Sequence, residues 1–186
     1  MWVDVMRPVF NLEPQYRVIM LIREDWTKVT GAPPVVKGLV WFTGRVQDED
    51  GAGVYGQSVG RRLSFSLGRY ATVFQAEIFA ILACVYEIQS QNRSEKYVSI
   101  CSDSQAALTA LQATRTSPFV QQCQNVLNNL STQHAVGLFW VPGHAGVKEN
   151  EITDELAMGN SVLGFSGAEP ALGVSRQDIH KGLAVG

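Results

Sequence analysis

The chain has 186 residues, of which 46% are apolar and 17% are charged, and its formal net charge is −2. These values lie close to the averages of globular domains, so they exclude a disordered or collagen-like chain and favour one compact domain with tails. They also exclude a general basic surface, so a nucleic-acid partner would have to be held by local contacts.

The first residues and the apolar runs indicate where the chain resides. Residues 1–5 lack the basic and then apolar order of a secretory signal. The longest apolar run, Ile78–Tyr86, has nine residues, whereas a membrane-spanning helix needs ~20. We therefore expect an intracellular chain without a transmembrane segment, and nucleus and cytoplasm both remain open.

The odd number of cysteines, with no C-x-x-C pair, predicts reduced thiols in or near the core.

Two changes of composition bracket the expected domain. Pro33-Pro34 precedes it, and a glycine-rich stretch follows Gly159. We therefore expect residues 1–34 to be a linker or an irregular N-terminal extension, residues 35–159 to form the domain, and residues 160–186 to be a C-terminal tail.

The domain begins with a predicted antiparallel meander, followed by a helix. The three strands are rich in β-branched and aromatic residues and are separated by turn residues; they are Val35–Thr43, Gly53–Val59 and Arg62–Leu67. Apolar residues then recur every three or four positions from Phe74 to Ile88, which is typical of a helix that faces a core. Thr72 and Gln75 form a predicted capping box at the start of this helix.

Strands and helices alternate in the second half of the domain. The predicted elements are a strand at Tyr97–Cys101, a helix at Ser104–Ala113, a helix from Pro118 to Leu130 capped by Ser117, a strand at Ala135–Val141, and a helix from Glu151 to about Met158 capped by Asn150. Strands separated by helices are normally parallel, so the strands near residues 40, 100 and 138 should lie side by side in a mixed α/β sheet. Functional sites in such sheets form beyond the carboxyl ends of the parallel strands.

Two carboxylates are candidates for this edge of the sheet. Asp103 directly follows a predicted strand, although either Ser102 or Asp103 would also serve as a cap for the next helix. Glu77 lies on the apolar stripe of its helix, where it is either a partly solvated residue at the rim or a metal ligand whose charge the cation neutralises.

A third carboxylate, Asp154, lies in the first turn of the last helix, where the helix dipole would suffice to explain it. Ten residues earlier, His144 lies in a glycine-rich loop. If Glu77, Asp103 and Asp154 converge, their oxygen ligands suit Mg²⁺ or Mn²⁺. Two such ions activate water and stabilise the leaving oxygen of a phosphodiester.

Three motifs in this order resemble type 1 ribonuclease H. They are Phe74-Gln-Ala-Glu77, Cys101-Ser-Asp-Ser-Gln-Ala-Ala-Leu108, and Trp140-Val-Pro-Gly-His-Ala-Gly-Val147 with Asn150-Glu-Ile-Thr-Asp-Glu-Leu-Ala157. The chain is similar to the C-terminal ribonuclease H domain of the reverse transcriptase polyproteins of insect-type non-LTR retrotransposons, over about Val35–Gly159.

The resemblance implies a ribonuclease H-like fold of five mixed strands with flanking helices, and hydrolysis of the RNA strand of an RNA/DNA hybrid with Mg²⁺ or Mn²⁺. It implies that Glu77, Asp103 and Asp154 are metal-binding carboxylates and that His144 is a mobile histidine that helps proton transfer or product release. It also implies an upstream reverse transcriptase domain in the parent polyprotein.

One position departs from the family pattern. The family has Thr-Asp-Gly-Ser at the end of its first strand, whereas this chain has Gly44 at the position of the aspartate, followed by Arg45. Asp48 and Asp50 come later, and along a strand they would lie roughly 13 to 20 Å away. Losing a carboxylate between two dications weakens metal binding, so we expect much reduced cleavage. The alternative is an inactive domain that binds hybrids or serves as a structural module of a retroelement protein.

Other motifs have simpler interpretations. Gly51–Gly56 matches the dinucleotide pattern G-x-G-x-x-G, and Ser58 lies in a G-x-S-x-G pattern that precedes Asp103 and His144 in the order of an α/β-hydrolase. Both patterns need a following helix, but a strand pattern follows, so both are interpreted as hairpin turns.

Polar side chains near the site, such as Ser104 and Gln105, can meet the phosphates and 2′-hydroxyls of a hybrid. The basic set Arg61, Arg62 and Arg69 is interpreted as a solvated strand edge.

Overall fold

The computed structural model describes residues 15–27, 35–45 and 51–143, and the structural statements below concern these residues. In chain order the elements are β1 (Arg17–Ile19), α1 (Arg23–Thr27), β2 (Leu39–Arg45), β3 (Gly51–Gly56), β4 (Arg61–Ser66), α2 (Val73–Ser90), β5 (Tyr97–Ser102), α3 (Gln105–Gln112), α4 (Pro118–Leu130) and β6 (Ala135–Trp140). The helix predicted from Glu151 lies outside the described residues.

The described strands form one mixed sheet in the order β1-β6-β5-β2-β3-β4. The strands β2, β3 and β4 pair antiparallel, and β1, β6, β5 and β2 pair parallel. Helices flank the sheet, with α2 packed on β2 and β3. The predicted meander, the adjacent parallel strands and the α/β fold class of the ribonuclease H type are thereby confirmed.

The N-terminal region differs from the prediction. Residues 17–19 form the strand β1, and residues 23–27 form the helix α1. The expectation of irregular structure over residues 1–34 is therefore wrong for these two segments. The strand β1 pairs parallel with β6, so the described sheet has six strands rather than the five that the resemblance implies. A strand of three residues has too little periodicity to be recognised from sequence, because its formation depends on pairing with β6 and on burial of the flanking Tyr16 and Trp26.

The helix α2 is the central helix of the core. Its capping box is confirmed: Thr72 Oγ1 accepts a hydrogen bond from Gln75 N (3.1 Å), and Gln75 Oε1 accepts one from Thr72 N (3.0 Å). By length and composition alone α2 could cross a membrane, but 72% of it is buried inside the protein. This burial between the sheet and α4 accounts for its apolar composition.

The direction of the strands places the start of α2 at a defined edge of the sheet. We call the edge at which β2, β5 and β6 end the carboxyl edge. Because β3 is antiparallel to both β2 and β4, β4 also ends at this edge, and α2 begins seven residues after Ser66. The opposite end of α2 lies at the other edge, where Arg61 at the start of β4 contacts Glu87. The first turns of α2 are therefore close to the carboxyl edge.

Candidate active site at the carboxyl edge

The strand register brings three chain segments together at the carboxyl edge. Thr43 in β2 is paired with Ser102 in β5, and Ser102 is paired with Trp140 in β6. One residue further along, Gly44, Asp103 and the Val141–Gly143 turn therefore lie side by side. The amide of Val141 donates to the carbonyl of Ser102 (2.9 Å), which continues the β5–β6 pairing to this point.

Asp103 is not needed to cap the helix that follows it. The cap of α3 is Ser104, whose Oγ accepts a hydrogen bond from Ala107 N (3.1 Å). The Oγ of Ser102 accepts one from Ser104 N (3.2 Å) and holds the turn between β5 and α3. The interpretation of Ser102 or Asp103 as the helix cap is therefore wrong.

The side chain of Asp103 is directed toward the turn after β6. A Cβ atom at Gly143 would lie 3.5 Å from Asp103 Oδ2, an ordinary van der Waals contact. The glycine therefore leaves space beside this carboxylate oxygen that a larger residue would fill.

Glu77 is buried in the second turn of α2, with 7% of its surface exposed. The interpretation of Glu77 as a partly solvated residue at the rim is therefore wrong. The same helix contains a second buried glutamate, Glu87, which has a structural explanation: its Oε1 accepts hydrogen bonds from Arg61 Nε (2.9 Å) and Gln91 Nε2 (3.1 Å). Ten residues of α-helix separate the two glutamates by ~15 Å, so only Glu77 lies toward the carboxyl edge.

Gly44 lies in β2 at the predicted position beside Asp103. It is buried and is paired with Gly53 of β3. The preceding residue, Thr43, is fully buried, and its Oγ1 donates to the carbonyl of Cys101 (3.3 Å). The end of β2 is thus regularly paired on both sides, but residue 44 contributes no side chain to the carboxyl edge.

The other predicted site residues lie outside the described part of the chain. They are His144, Asp154, Asp48 and Asp50. Within the described ranges, no group of three or more His, Cys, Asp or Glu residues could hold a metal ion. The structure therefore places Glu77 and Asp103 toward one edge, and their convergence with Asp154 and His144 stays a prediction.

The donor chemistry at this edge suits a hard divalent cation. Glu77 and Asp103 offer only carboxylate oxygens, the ligands that Mg²⁺ and Mn²⁺ prefer. Soft ligands are elsewhere: the three cysteines are reduced thiols buried in the core, as predicted. The residues present therefore fit Mg²⁺ or Mn²⁺ and do not form a zinc site.

The glycine motifs have structural explanations. Gly51–Gly56 is the strand β3 itself, and a second strand rather than a helix follows it. Ser58 lies in the turn between β3 and β4, where its Oγ accepts from Val40 N (3.1 Å) and donates to Gly38 O (3.2 Å). The dinucleotide and hydrolase interpretations are therefore excluded by their structural context.

Neither of the two tryptophans near the site is predicted as a site residue from the sequence, although Trp140 begins the third motif. The indole Nε1 of Trp140 donates to the main-chain carbonyl of Asp103 (3.2 Å), and the indole Nε1 of Trp26 donates to the carbonyl of Trp140 (3.0 Å). No sequence pattern indicates these contacts, because Trp26 is 114 residues away from Trp140. The position of Trp140 at the end of a predicted strand next to the site was the one available signal.

Comparison with known families agrees with this geometry. The family model for RNase H matches residues 39–161, about two thirds of the chain. The matched region begins at the first residue of β2 and includes all four predicted site residues. The segment that contains β1 and α1 precedes it.

Proposed function

The chain belongs to the RNase H family, and from this premise we propose that it binds RNA/DNA hybrids at the carboxyl edge and cleaves the RNA strand only weakly. Membership in the family supports the classification as a type 1 ribonuclease H domain, with nuclease chemistry and nucleic-acid binding. The observation that carries the specific proposal is the register that aligns Gly44 with Asp103 while the first turns of α2 bring Glu77 toward the same edge.

Each proposed residue has a role that its chemistry permits. Glu77, Asp103 and Asp154 would hold Mg²⁺ or Mn²⁺, and the bound ions would activate water and stabilise the leaving oxygen of the phosphodiester. Asp103 is at the edge of the sheet, where a hybrid can approach it, whereas Glu77 is buried beneath that edge. His144, one residue after the turn at Gly143, would accept and return a proton at the reacting phosphate or help the product leave.

Weak cleavage follows from residue 44. In a site with two dications, a carboxylate that bridges both ions offsets their mutual repulsion. Gly44 supplies no such group, so the second ion would be held poorly even where Asp103 binds the first one. Binding of the hybrid depends mainly on contacts to phosphates and 2′-hydroxyls, so it would persist.

The absence of a side chain at residue 44 also favours a second candidate function. In this alternative the domain binds hybrids, or acts as a structural module, without cleaving RNA. In both cases we propose that the domain derives from the reverse transcriptase polyprotein of a non-LTR retrotransposon and acts inside the cell. The two candidates differ in one measurable property, the cleavage of the RNA strand.

A hybrid-cleavage assay tests the proposal. A labelled RNA/DNA hybrid is incubated with the full chain and with the variants Asp103→Asn and Gly44→Asp, with Mg²⁺ or Mn²⁺. We expect slow cleavage of RNA only, loss of this cleavage in Asp103→Asn, and a gain of at least about tenfold in Gly44→Asp, because the bridging charge is restored. Hybrid binding should be similar in all three proteins.

The controls separate the alternatives. Intact RNA with the wild-type chain, combined with hybrid binding and cleavage by Gly44→Asp, would establish the non-cleaving domain. If neither the wild-type chain nor Gly44→Asp cleaves RNA or binds Mn²⁺, the carboxyl edge is not a metal site and the proposed mechanism is wrong.

A further inference from the structure

The N-terminal segment, residues 15–27, is attached to both faces of the sheet. On one face the hydroxyl of Tyr16 donates to the carbonyl of Leu111 at the end of α3. On the other face Trp26 packs in an apolar cluster with Phe42 and Phe139. Between these anchors β1 continues the sheet beyond β6. The segment that carries Trp26 is therefore held by contacts on both faces of the sheet.

A pair of hydrogen bonds leads from this segment to the candidate active site. Trp26 is 6% exposed, and its indole N–H donates to the carbonyl of Trp140. The indole N–H of Trp140 in turn donates to the carbonyl of Asp103. A carbonyl that accepts a hydrogen bond fixes the plane of its peptide group, and the carbonyl of Asp103 belongs to the peptide that joins it to Ser104. The second bond thus restrains the backbone that carries the carboxylate.

We infer that Trp26 and Trp140 are positioning residues for Asp103, and that the N-terminal segment is part of the working site although it lies outside the matched family region. This inference rests on the proposed function, because it assigns Asp103 to metal binding. Trp26 acts on the carbonyl at the end of β6, where the chain turns toward Gly143 and the Asp103 carboxylate. Trp140 acts directly on the Asp103 backbone.

The two indole hydrogen bonds should have a moderate effect on Mn²⁺ affinity. They do not contact the metal, but hydrogen bonds that orient a ligand commonly influence metal affinity. Removing one neutral hydrogen bond that restrains the Asp103 backbone, without contacting its carboxylate, should weaken Mn²⁺ binding by about threefold to tenfold.

The test compares Trp26→Phe with a matched control, Trp41→Phe. Both replacements remove the same part of a buried indole ring. Trp41 is fully buried in β2, and its Nε1 has no hydrogen-bond partner in the described structure. The control therefore reproduces the loss of packing without the loss of a hydrogen bond to the site. Thermal unfolding of Trp41→Phe measures the packing effect alone, and that of Trp26→Phe measures packing together with the lost hydrogen bond.

Two readouts are used. In the metal-free protein, nuclear magnetic resonance measures the indole ¹H–¹⁵N resonance of Trp140 and the backbone carbonyl ¹³C resonance of Asp103. Isothermal titration then measures Mn²⁺ affinity. We expect Trp26→Phe to shift both resonances and to weaken Mn²⁺ binding by about threefold to tenfold, whereas Trp41→Phe should leave the resonances and the affinity near the wild-type values.

Unchanged resonances in Trp26→Phe, or equal effects of the two variants on Mn²⁺ affinity, would overturn the inference. If the wild-type chain binds no Mn²⁺, the proposed metal site is wrong, and the resonances of the metal-free protein still decide whether Trp26 positions Asp103. If Trp26→Phe does not fold, Trp140→Phe is measured instead: a shifted Asp103 carbonyl resonance supports the positioning role, and an unshifted one contradicts it.

Discussion

Two buried glutamates on one helix illustrate how residue environment separates structure from function. Glu87 is held by Arg61 and Gln91 at the end of α2 that is far from the candidate site. Glu77 is buried in the second turn of α2, at the end of this helix that begins close to the carboxyl edge. Burial of a carboxylate is costly unless charge or hydrogen bonding compensates it, and Arg61 and Gln91 provide this compensation for Glu87. Arg61 forms an ion pair with Glu87, whereas a divalent ion is the proposed partner of Glu77.

The pair of Arg61 and Glu87 gives a prediction for stability. In Arg61→Ala the buried Glu87 carboxylate loses its cation, so the free energy of unfolding should fall by about 1–2 kcal/mol, a value reduced because Arg61 is 42% exposed. Chemical denaturation measures the change. The neighbouring Arg62 is a suitable control, because its guanidinium lies 5.6 Å from the Tyr55 ring and forms a weaker surface contact.

We expect Arg62→Ala to cost about 0.5 kcal/mol. Equal losses in the two arginine variants would contradict the importance of the Glu87 pair. Hybrid binding should be the same in both, because the pair lies at the opposite edge of the sheet.

The sequence predicts Glu77 and Asp103 as residues of one edge, because each has a local signal: a charge within an apolar stripe, or an acid directly after a strand. Their convergence on one ion stays a prediction. The tryptophan contacts had no such signal. They depend on side chains that meet only after the sheet has formed. The structure also removes the simpler interpretations that the sequence left open, namely the cap at Asp103 and the solvated rim at Glu77.

Among the secondary-structure elements, the long helices are the ones that the sequence predicts best, whereas the five-residue helix α1 is not predicted. The helix α2 has both a capping box and a long apolar pattern, and α4 begins with Ser117 as its cap and Pro118 in its first turn, as predicted. The strand β2 begins later than predicted, at Leu39. Gly38 has a positive φ of 77°, and a Cβ there would lie 2.0 Å from the carbonyl oxygen of Tyr97, so this position requires glycine and interrupts the extended chain.

The cap of α2 can be tested directly. Thr72→Ala removes the hydroxyl that accepts the hydrogen bond from Gln75 N, and the free energy of unfolding should fall by about 1 kcal/mol. Thr72→Ser keeps the hydroxyl and should remain within about 0.5 kcal/mol of the wild-type value. Denaturation by urea distinguishes the two variants. Equal stability of the alanine and serine variants would show that the capping box contributes nothing.

The core of the protein includes all the thiols of the chain. Burial raises the pKa of Cys84 well above its ordinary value, with the Glu87 carboxylate as a further cause, and burial likewise raises the pKa of Cys123. These groups therefore stay protonated in the folded protein at pH values where the unfolded chain loses the protons.

This difference predicts a stability that depends on alkaline pH. The folded state binds more protons than the unfolded state once the pH exceeds the ordinary thiol pKa of 9.0, so the free energy of unfolding should fall as the pH rises above about 9. Urea denaturation from pH 7 to pH 10.5 measures the slope. We expect a smaller slope in Cys84→Ala, and native protein at pH 8 should resist alkylation by iodoacetamide until it is unfolded. Rapid labelling of the native thiols would contradict their burial.

The strand order determines at which stage of folding the carboxyl edge forms. Gly44 lies in β2, and Asp103 and Gly143 follow β5 and β6, three strands that are separated in the chain but adjacent in the sheet. The carboxyl edge is therefore complete only after β6 has docked beside β5. A growing polypeptide therefore lacks the Gly143 side of this edge until β6 has formed. Any ligand of the edge should raise the melting temperature of the entire domain, because it binds only the finished fold.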